Sequence, residues 1–222
     1  MTEIVTPENR SLYTDILDDM FRMRYRIAVR ELGWKIPGIE PGYDKDEFDI
    51  ESTVYILVLS DDRKSVLGCT RFNKTTEKHM LTDIFPHYCD LQPIPRSPHV
   101  FECSRYMIDR KACGSKEKQT QVRQHLGLGM TEYCMSVGVT KISWLTHQAF
   151  YHHTISVLDT EPLGLPQEEP SDNSVYIAAL SNVDEKTWRR QRENLVVKQE
   201  HITQQRIFLT PRSIPSQSSE AA

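Results

Sequence analysis

The chain has 222 residues, 38% of them hydrophobic, and 27 Lys and Arg against 31 Asp and Glu give a formal charge of −4. One large domain with a real core is expected, a fibrous or wholly disordered chain is excluded, and without a basic excess nucleic acid is not an expected partner. Five cysteines at positions 69, 89, 103, 113 and 134 form no Cys-x-x-Cys pair, and the amino-terminal residues lack the basic, apolar character of a leader, so a reducing, cytoplasmic home is expected.

Leu12, Ile16, Leu17, Met20 and Phe21 recur at helical spacing, and the pattern runs on to Ile27. From residue 35 to 50 the periodicity fails among Pro37, Gly38, Pro41, Gly42 and an acidic cluster, which predicts a long loop of the kind that is usually functional or disordered. Residues 54–59 and 65–73 read as an antiparallel hairpin, and 54–59, the longest aliphatic run, is too short to span a membrane. Residues 99–108 read as a third strand, about 127–137 as a helix and 141–146 as the next strand. That order implies a crossover between parallel neighbours in a sheet that began antiparallel. A Pro- and Gly-rich connection, a strand at 175–180 and a charged helix from 184 to about 208 follow. Residues 1–209 form a single domain on this reading, and 210–222 have the composition of a disordered tail.

Arg24, Trp34, Asp46 and Asp49 surround the long loop and would suit a cationic ligand, although acidic loops are usually solvated and a tryptophan at a helix end is usually a core anchor. Arg71, Glu102 and Arg105 lie inside strands, where charges must be paired if buried; a structural ion pair and a functional site are equally good readings. Strict alternation puts Glu102 and Ser104 on one face and Arg105 on the other, so a bulge near Ser104 is needed for them to meet. Gln124, Gly127 and Gly129, in Gln-x-x-Gly-x-Gly, are placed by this reading where a strand leads into a helix, a position at which backbone amides can approach a pyrophosphate. The eight histidines form no metal-binding pattern, no Gly-x-Ser-x-Gly elbow is present, and no metal is expected.

The ordered series Arg24, Leu32-Gly33-Trp34, Asp46-x-x-Asp49, Gly68 to Phe72, Met80-Leu81-x3-Phe85 and Glu102-x-Ser104-Arg105 resembles the LuxI-type acyl-homoserine-lactone synthases, from about Met20 to Thr146. The chief departure is Ala28, where the family usually has phenylalanine. The resemblance implies a GNAT-like α/β/α sandwich with a mixed, twisted central sheet, in which a V-shaped splay between central strands takes the acyl carrier's pantetheine arm. It implies an acyltransferase of quorum sensing that uses S-adenosylmethionine and an acyl thioester, either acyl-CoA or acyl carrier protein, as substrates and needs no cofactor. In that reaction the amine attacks the thioester, then the carboxylate attacks its own γ-carbon and releases methylthioadenosine. Carried over, Arg24, Trp34, Asp46, Asp49, Arg71, Phe85 and Arg105 would shape the S-adenosylmethionine site, and Glu102, through a water, would be the base. Ser104, Gln124, Gly127, Gly129, Ser143 and Trp144 would serve the acyl and pantetheine groups. The basic stretch from Arg110 to Arg123 suits an acidic carrier protein or is simply solvated, and a monomer or weak homodimer is expected. A GNAT-type transferase acting on another amine and a non-catalytic acyl-carrier or nucleotide-binding module are the rival readings.

Overall fold

The computed structural model describes residues 1–155, 157–169 and 173–195. Thr2–Val5 is an edge strand, β1, which was not expected from the sequence. A 3-10 turn at Arg10–Tyr13 leads into α1, Thr14–Tyr25, and the helix runs on as a π-helical turn at Arg26–Glu31. After the long loop come β2, Val54–Leu59, and β3, Val66–Lys74. A short helix α2, Met80–Asp83, and a 3-10 turn, Pro86–Tyr88, precede β4, Val100–Ile108. Then follow α3, Arg110–Cys113; α4, Lys116–Ser136; β5, Lys141–His147; and α5, Gln148–Ile155. Two short strands, β6 at Thr160–Pro162 and β7 at Gln167–Glu169, occupy the stretch expected to be irregular. The chain continues with β8, Ser174–Asn182, and α6, Glu185–Glu193. The expected continuation of that last helix to about 208, and the tail at 210–222, lie outside the described residues.

One sheet carries all eight strands in the order β1-β2-β3-β4-β5-β8-β6, with β7 also paired to β8. Every pairing is antiparallel except β4 with β5, the neighbours joined by the α4 crossover. That parallel pairing covers only Val100–Cys103 against Lys141–Trp144. Beyond it β4 stays with β3 while β5 follows β8, so the sheet opens into a splay at its centre.

The two faces are covered differently. On one, Val122, Leu126 and Cys134 of α4 pack on Ile56, Phe101, Cys103, Ile142 and Trp144. On the other, α1 contributes Leu17, Met20 and Phe21 against Tyr55, Leu57 and Met107, while Leu81 of α2 and Tyr88 cover Val100, Ala178 and Leu180 further along. All six residues of β2 are buried because both faces are covered, which is why it reads as an unbroken aliphatic run. The polar site lies between the two clusters of the second face.

Candidate functional site

Three arginines of the scaffold meet three aspartates of the long loop. Arg24 of α1 pairs with Asp44 at 3.2 Å and with Asp49 at 2.8 Å. Arg105 of β4 pairs with Asp44 at 2.9 Å and with Asp46 at 2.7 Å. Arg71 of β3 pairs with Asp49 at 3.0 Å and with Asp46. The six groups therefore alternate in a closed ring, Arg24-Asp44-Arg105-Asp46-Arg71-Asp49, in which each charge touches two of opposite sign. No side chain in it is more than 5% exposed. Taking six ions out of water is expensive, and the closed alternation is what makes it tolerable: the ring is neutral and every member keeps two partners.

The loop's own geometry points its carboxylates inward. The Asp46 amide donates to Asp49 and the Phe48 amide to Asp46, a tight local turn. The Phe48 carbonyl accepts from Asn73 on β3 and from Thr53, the Asp44 amide donates to the Phe21 carbonyl of α1, and the Tyr55 hydroxyl donates to Asp49 at 2.9 Å. The loop is thus fastened to both the helix and the sheet.

Arg105 reaches the ring through the bulge that alternation demands. Cys69 pairs with Met107 and Arg71 with Ser104, so Thr70 alone faces Arg105 and Tyr106. Arg105 takes φ +53°, the left-handed region, which costs a non-glycine residue about 1–3 kcal/mol and persists only where the surroundings over-determine it. Here Asp44 and Asp46 hold the guanidinium, and its carbon lies 5.7 Å from the centre of the Trp34 ring. Gly33, at φ +72°, turns the chain so that the Trp34 amide donates to the carbonyl of Ala28, which is fully buried in the π-helical turn. Ser104 accepts from Arg71 Nε at 2.9 Å, so its hydroxyl orients the ring rather than standing apart from it.

Glu102 points from β4 to the same face. Its two carboxylate oxygens accept the backbone amides of Met80 at 2.8 Å and Leu81 at 2.6 Å, the first two residues of α2. Burial raises the Glu102 pKa, and these two amides oppose the rise only in part. Met80 Sδ lies 3.3 Å from Arg71 Nη2, joining this turn to the ring. Ser143, fully buried, is the register neighbour of Glu102 across the parallel pair. Phe85 packs on the cluster of Leu81 and Tyr88, beside α2.

Burial alone would raise the aspartate pKa values. In Asp44 the attraction of Arg24 and Arg105 overrides it, and in Asp49 that of Arg24 and Arg71 does, so both are held below the usual carboxylate range. All five thiols move the other way: burial pushes Cys69 and Cys103 up to about 12 and Cys89 up to about 11, and raises Cys113 and Cys134, which argues against a nucleophilic cysteine.

Several expected site residues are elsewhere. The helix expected at about 127 begins at Lys116, capped by Ser115, so Gln124, Gly127 and Gly129 lie in its interior and their amides are spent within it. The anticipated pyrophosphate cradle at 124–129 is not formed. Gln124 donates to the Asn194 carbonyl beyond α6, Gly127 faces Gln191, and Gly129 is where α4 touches β1 and β2: a Cβ there would meet Thr2 at 2.7 Å and Ile56 at 3.1 Å. Trp144 faces α4, its indole N–H donating to Ser181, on the opposite side of the sheet from Ser143. Asp44 was missed. It stands in the same acidic cluster as Asp46 and Asp49, and the three arginines need it because Glu102 is committed to the Met80 and Leu81 amides and takes no part in the ring. Among the described residues no group of three or more His, Cys, Asp or Glu could hold a metal ion, and no helix is long and apolar enough to cross a membrane.

A mixed sheet splayed at its centre, with a buried polar site beside the opening, defines a GNAT-like acyltransferase architecture. The autoinducer synthase family model matches residues 8–186. The isovaleryl-homoserine lactone synthase of Bradyrhizobium diazoefficiens is 31% identical over 172 residues, 75% of this chain and 73% of that protein. The acyl-homoserine-lactone synthase of Pseudomonas aeruginosa is 32% identical over 181 residues, 80% and 86% of the two chains. The structure of the CoA-dependent acyl-homoserine lactone synthase BjaI, solved with SAM and isopentyl-CoA, superposes with a TM-score of 0.77 at 27% identity, covering 88% of this chain and 89% of that one. This chain belongs to the autoinducer synthase family and is an acyl-homoserine-lactone synthase, an acyltransferase.

Proposed function

We propose that the chain acylates the α-amine of S-adenosylmethionine from an acyl-CoA and closes the product to a lactone, with Glu102 as the base. The observation that carries this reading is the neutral Arg-Asp ring beside Glu102, on one face of the sheet at the mouth of the β4-β5 splay. The methionine part of the substrate carries a carboxylate, an amine and a sulfonium. Such a ligand can exchange into an alternating ring, carboxylate toward an arginine and cationic groups toward aspartates, without leaving an unpaired buried charge. Trp34 and Phe85 are the aromatic walls of that site, with Arg24, Arg71, Arg105, Asp46 and Asp49 its polar part. The loop that supplies the aspartates excludes water from the thioester.

A free α-amine has a pKa of roughly 7.7–8.0, so near neutrality a large share is protonated and cannot attack. Glu102 uses one lone pair of each oxygen on the Met80 and Leu81 amides, which leaves acceptor capacity for a water that removes the amine proton. Its raised pKa brings it closer to the amine. The amine then adds to the thioester carbonyl and expels the thiol, and the substrate carboxylate displaces methylthioadenosine from the γ-carbon.

The acyl chain enters the splay, with Ser143 and Ser104 on the Glu102 side. Acyl-CoA is the favoured donor because BjaI is CoA-dependent and the Bradyrhizobium relative is named for a short branched acyl group. The exposed Arg110 and Lys116, ahead of and at the start of α4, support acyl carrier protein as the second reading. Incubation with S-adenosylmethionine and a panel of acyl-CoA and acyl-carrier thioesters, read by mass spectrometry, should yield an acyl-homoserine lactone and methylthioadenosine in equal amounts. Acyl transfer to a different amine, or thioester binding with neither product, would overturn the reading. Glu102→Gln should lower turnover by about 10²–10⁴-fold. Its amide N–H2 also faces one of the two backbone donors, so a melting curve must accompany the assay.

A further inference from the structure

Glu102 is held by a turn, and the turn is held by a histidine that no part of the proposed chemistry uses. His79 is fully buried. Its Nδ1–H donates to the Glu77 carbonyl at 2.9 Å, because a carbonyl can only accept, and Nε2 is hydrogen-bonded to the Thr82 hydroxyl at 2.7 Å. The imidazole therefore bridges the turn from the residue two before it to the residue three after it. The next two amides in the chain, of Met80 and Leu81, are the pair that grips the Glu102 carboxylate, and the His79 carbonyl accepts the Asp83 amide. A hydrocarbon side chain of the same size would fill the space but leave the Glu77 carbonyl and Thr82 hydroxyl without these partners.

We infer that His79 is a positioning residue for Glu102: it fixes the turn at 77–82 so that two backbone amides set the orientation and proton affinity of the carboxylate. This rests on the reading of Glu102 as the base. The groups that act on Glu102 are His79 from this turn, Arg71 from β3, Cys89 after the 3-10 turn and Cys103 beside it on β4. The amides favour the charged carboxylate and burial opposes it. A loosened turn weakens the amides and leaves burial unopposed, so Glu102 binds its proton more tightly and the acid limb of kcat/KM moves to higher pH.

The test compares His79→Phe, His79→Asn and Thr82→Val with the unaltered enzyme, recording kcat, KM and the pH profile for the acyl thioester and S-adenosylmethionine, with a melting curve for each. His79→Phe should raise the midpoint of the acid limb by about one pH unit, a tenfold change in proton affinity, and lower kcat more than it changes either KM. Thr82→Val, which removes one hydroxyl, should shift the limb in the same direction by less. His79→Asn, whose amide can donate to the Glu77 carbonyl, should fall between the unaltered enzyme and His79→Phe. A limb that stays in place while melting temperatures fall would overturn the inference, and Thr82→Val decides it if His79→Phe does not fold. Glu102→Gln separates the two claims. Normal turnover with an unmoved limb in that variant removes the base and the inference with it. If Glu102→Gln abolishes turnover while the His79 and Thr82 variants leave the limb in place, only the role of His79 is lost.

Discussion

The two faces of the sheet are built on opposite principles. Under α4 the contacts are apolar and close, down to a glycine whose hydrogen faces Thr2 and Ile56. Under α1 and the long loop, six buried ions close on one another, a bulged arginine takes a strained backbone, and a buried glutamate is held by two amides. One face holds the molecule together through area removed from water. The other uses stability drawn from the first to hold charge where substrate must arrive.

The sharpest way to break this contrast is to open the ring. Asp44→Ala leaves Arg24 and Arg105 with one partner each, and removal of one member of a buried ion set costs about 3–5 kcal/mol. The melting temperature and S-adenosylmethionine binding should both fall. If the ring is only a surface-type decoration, loss below about 1 kcal/mol will be measured. The same ring sets the acid response. Asp44 and Asp49 have depressed pKa values in the folded state, so they stabilise the protein above the unfolded aspartate value of about 3.9 and lose that effect as pH falls through their folded values. Asp44→Asn should therefore flatten the drop of stability measured by denaturant unfolding on the acid side of about pH 4.

On the apolar face the expected effects are smaller and of another kind. Gly129→Ala places a methyl 2.7 Å from Thr2 and overpacks the contact of α4 with the edge strands, at about 1–3 kcal/mol. Turnover per folded molecule should be unchanged. Gln124→Ala, which removes the bond to the Asn194 carbonyl, should lower stability by about 1 kcal/mol and leave KM for acyl-CoA as it was. A rise in that KM would restore the segment to the acyl-donor site.

The limits of sequence reading follow the same division. Strands β2 to β5 were legible within a residue or two, because alternation and aliphatic runs are local signals, and the crossover rule then supplied the one parallel pairing. The start of α4 was not. Two glycines look like a helix boundary, since each weakens a helix by about 1 kcal/mol relative to alanine, yet Gly129 here permits a close approach to β1 and β2 that outweighs the local penalty. Strand β1 was missed because four residues carry too little pattern of their own.

For the site, local chemistry determined which residue types were present: arginines within the helix and strands, aspartates in a loop, and a glutamate that had to be paired if buried. Only the tertiary structure decided how they pair. The closure of the ring depends on the fastening of the loop, on the bulge that brings Arg105 to the Glu102 face, and on the turn at 77–82 that delivers two amides to Glu102. These include contacts between residues 20 to 61 positions apart. Their geometry is set by strand register and loop docking, which no local pattern of residues encodes.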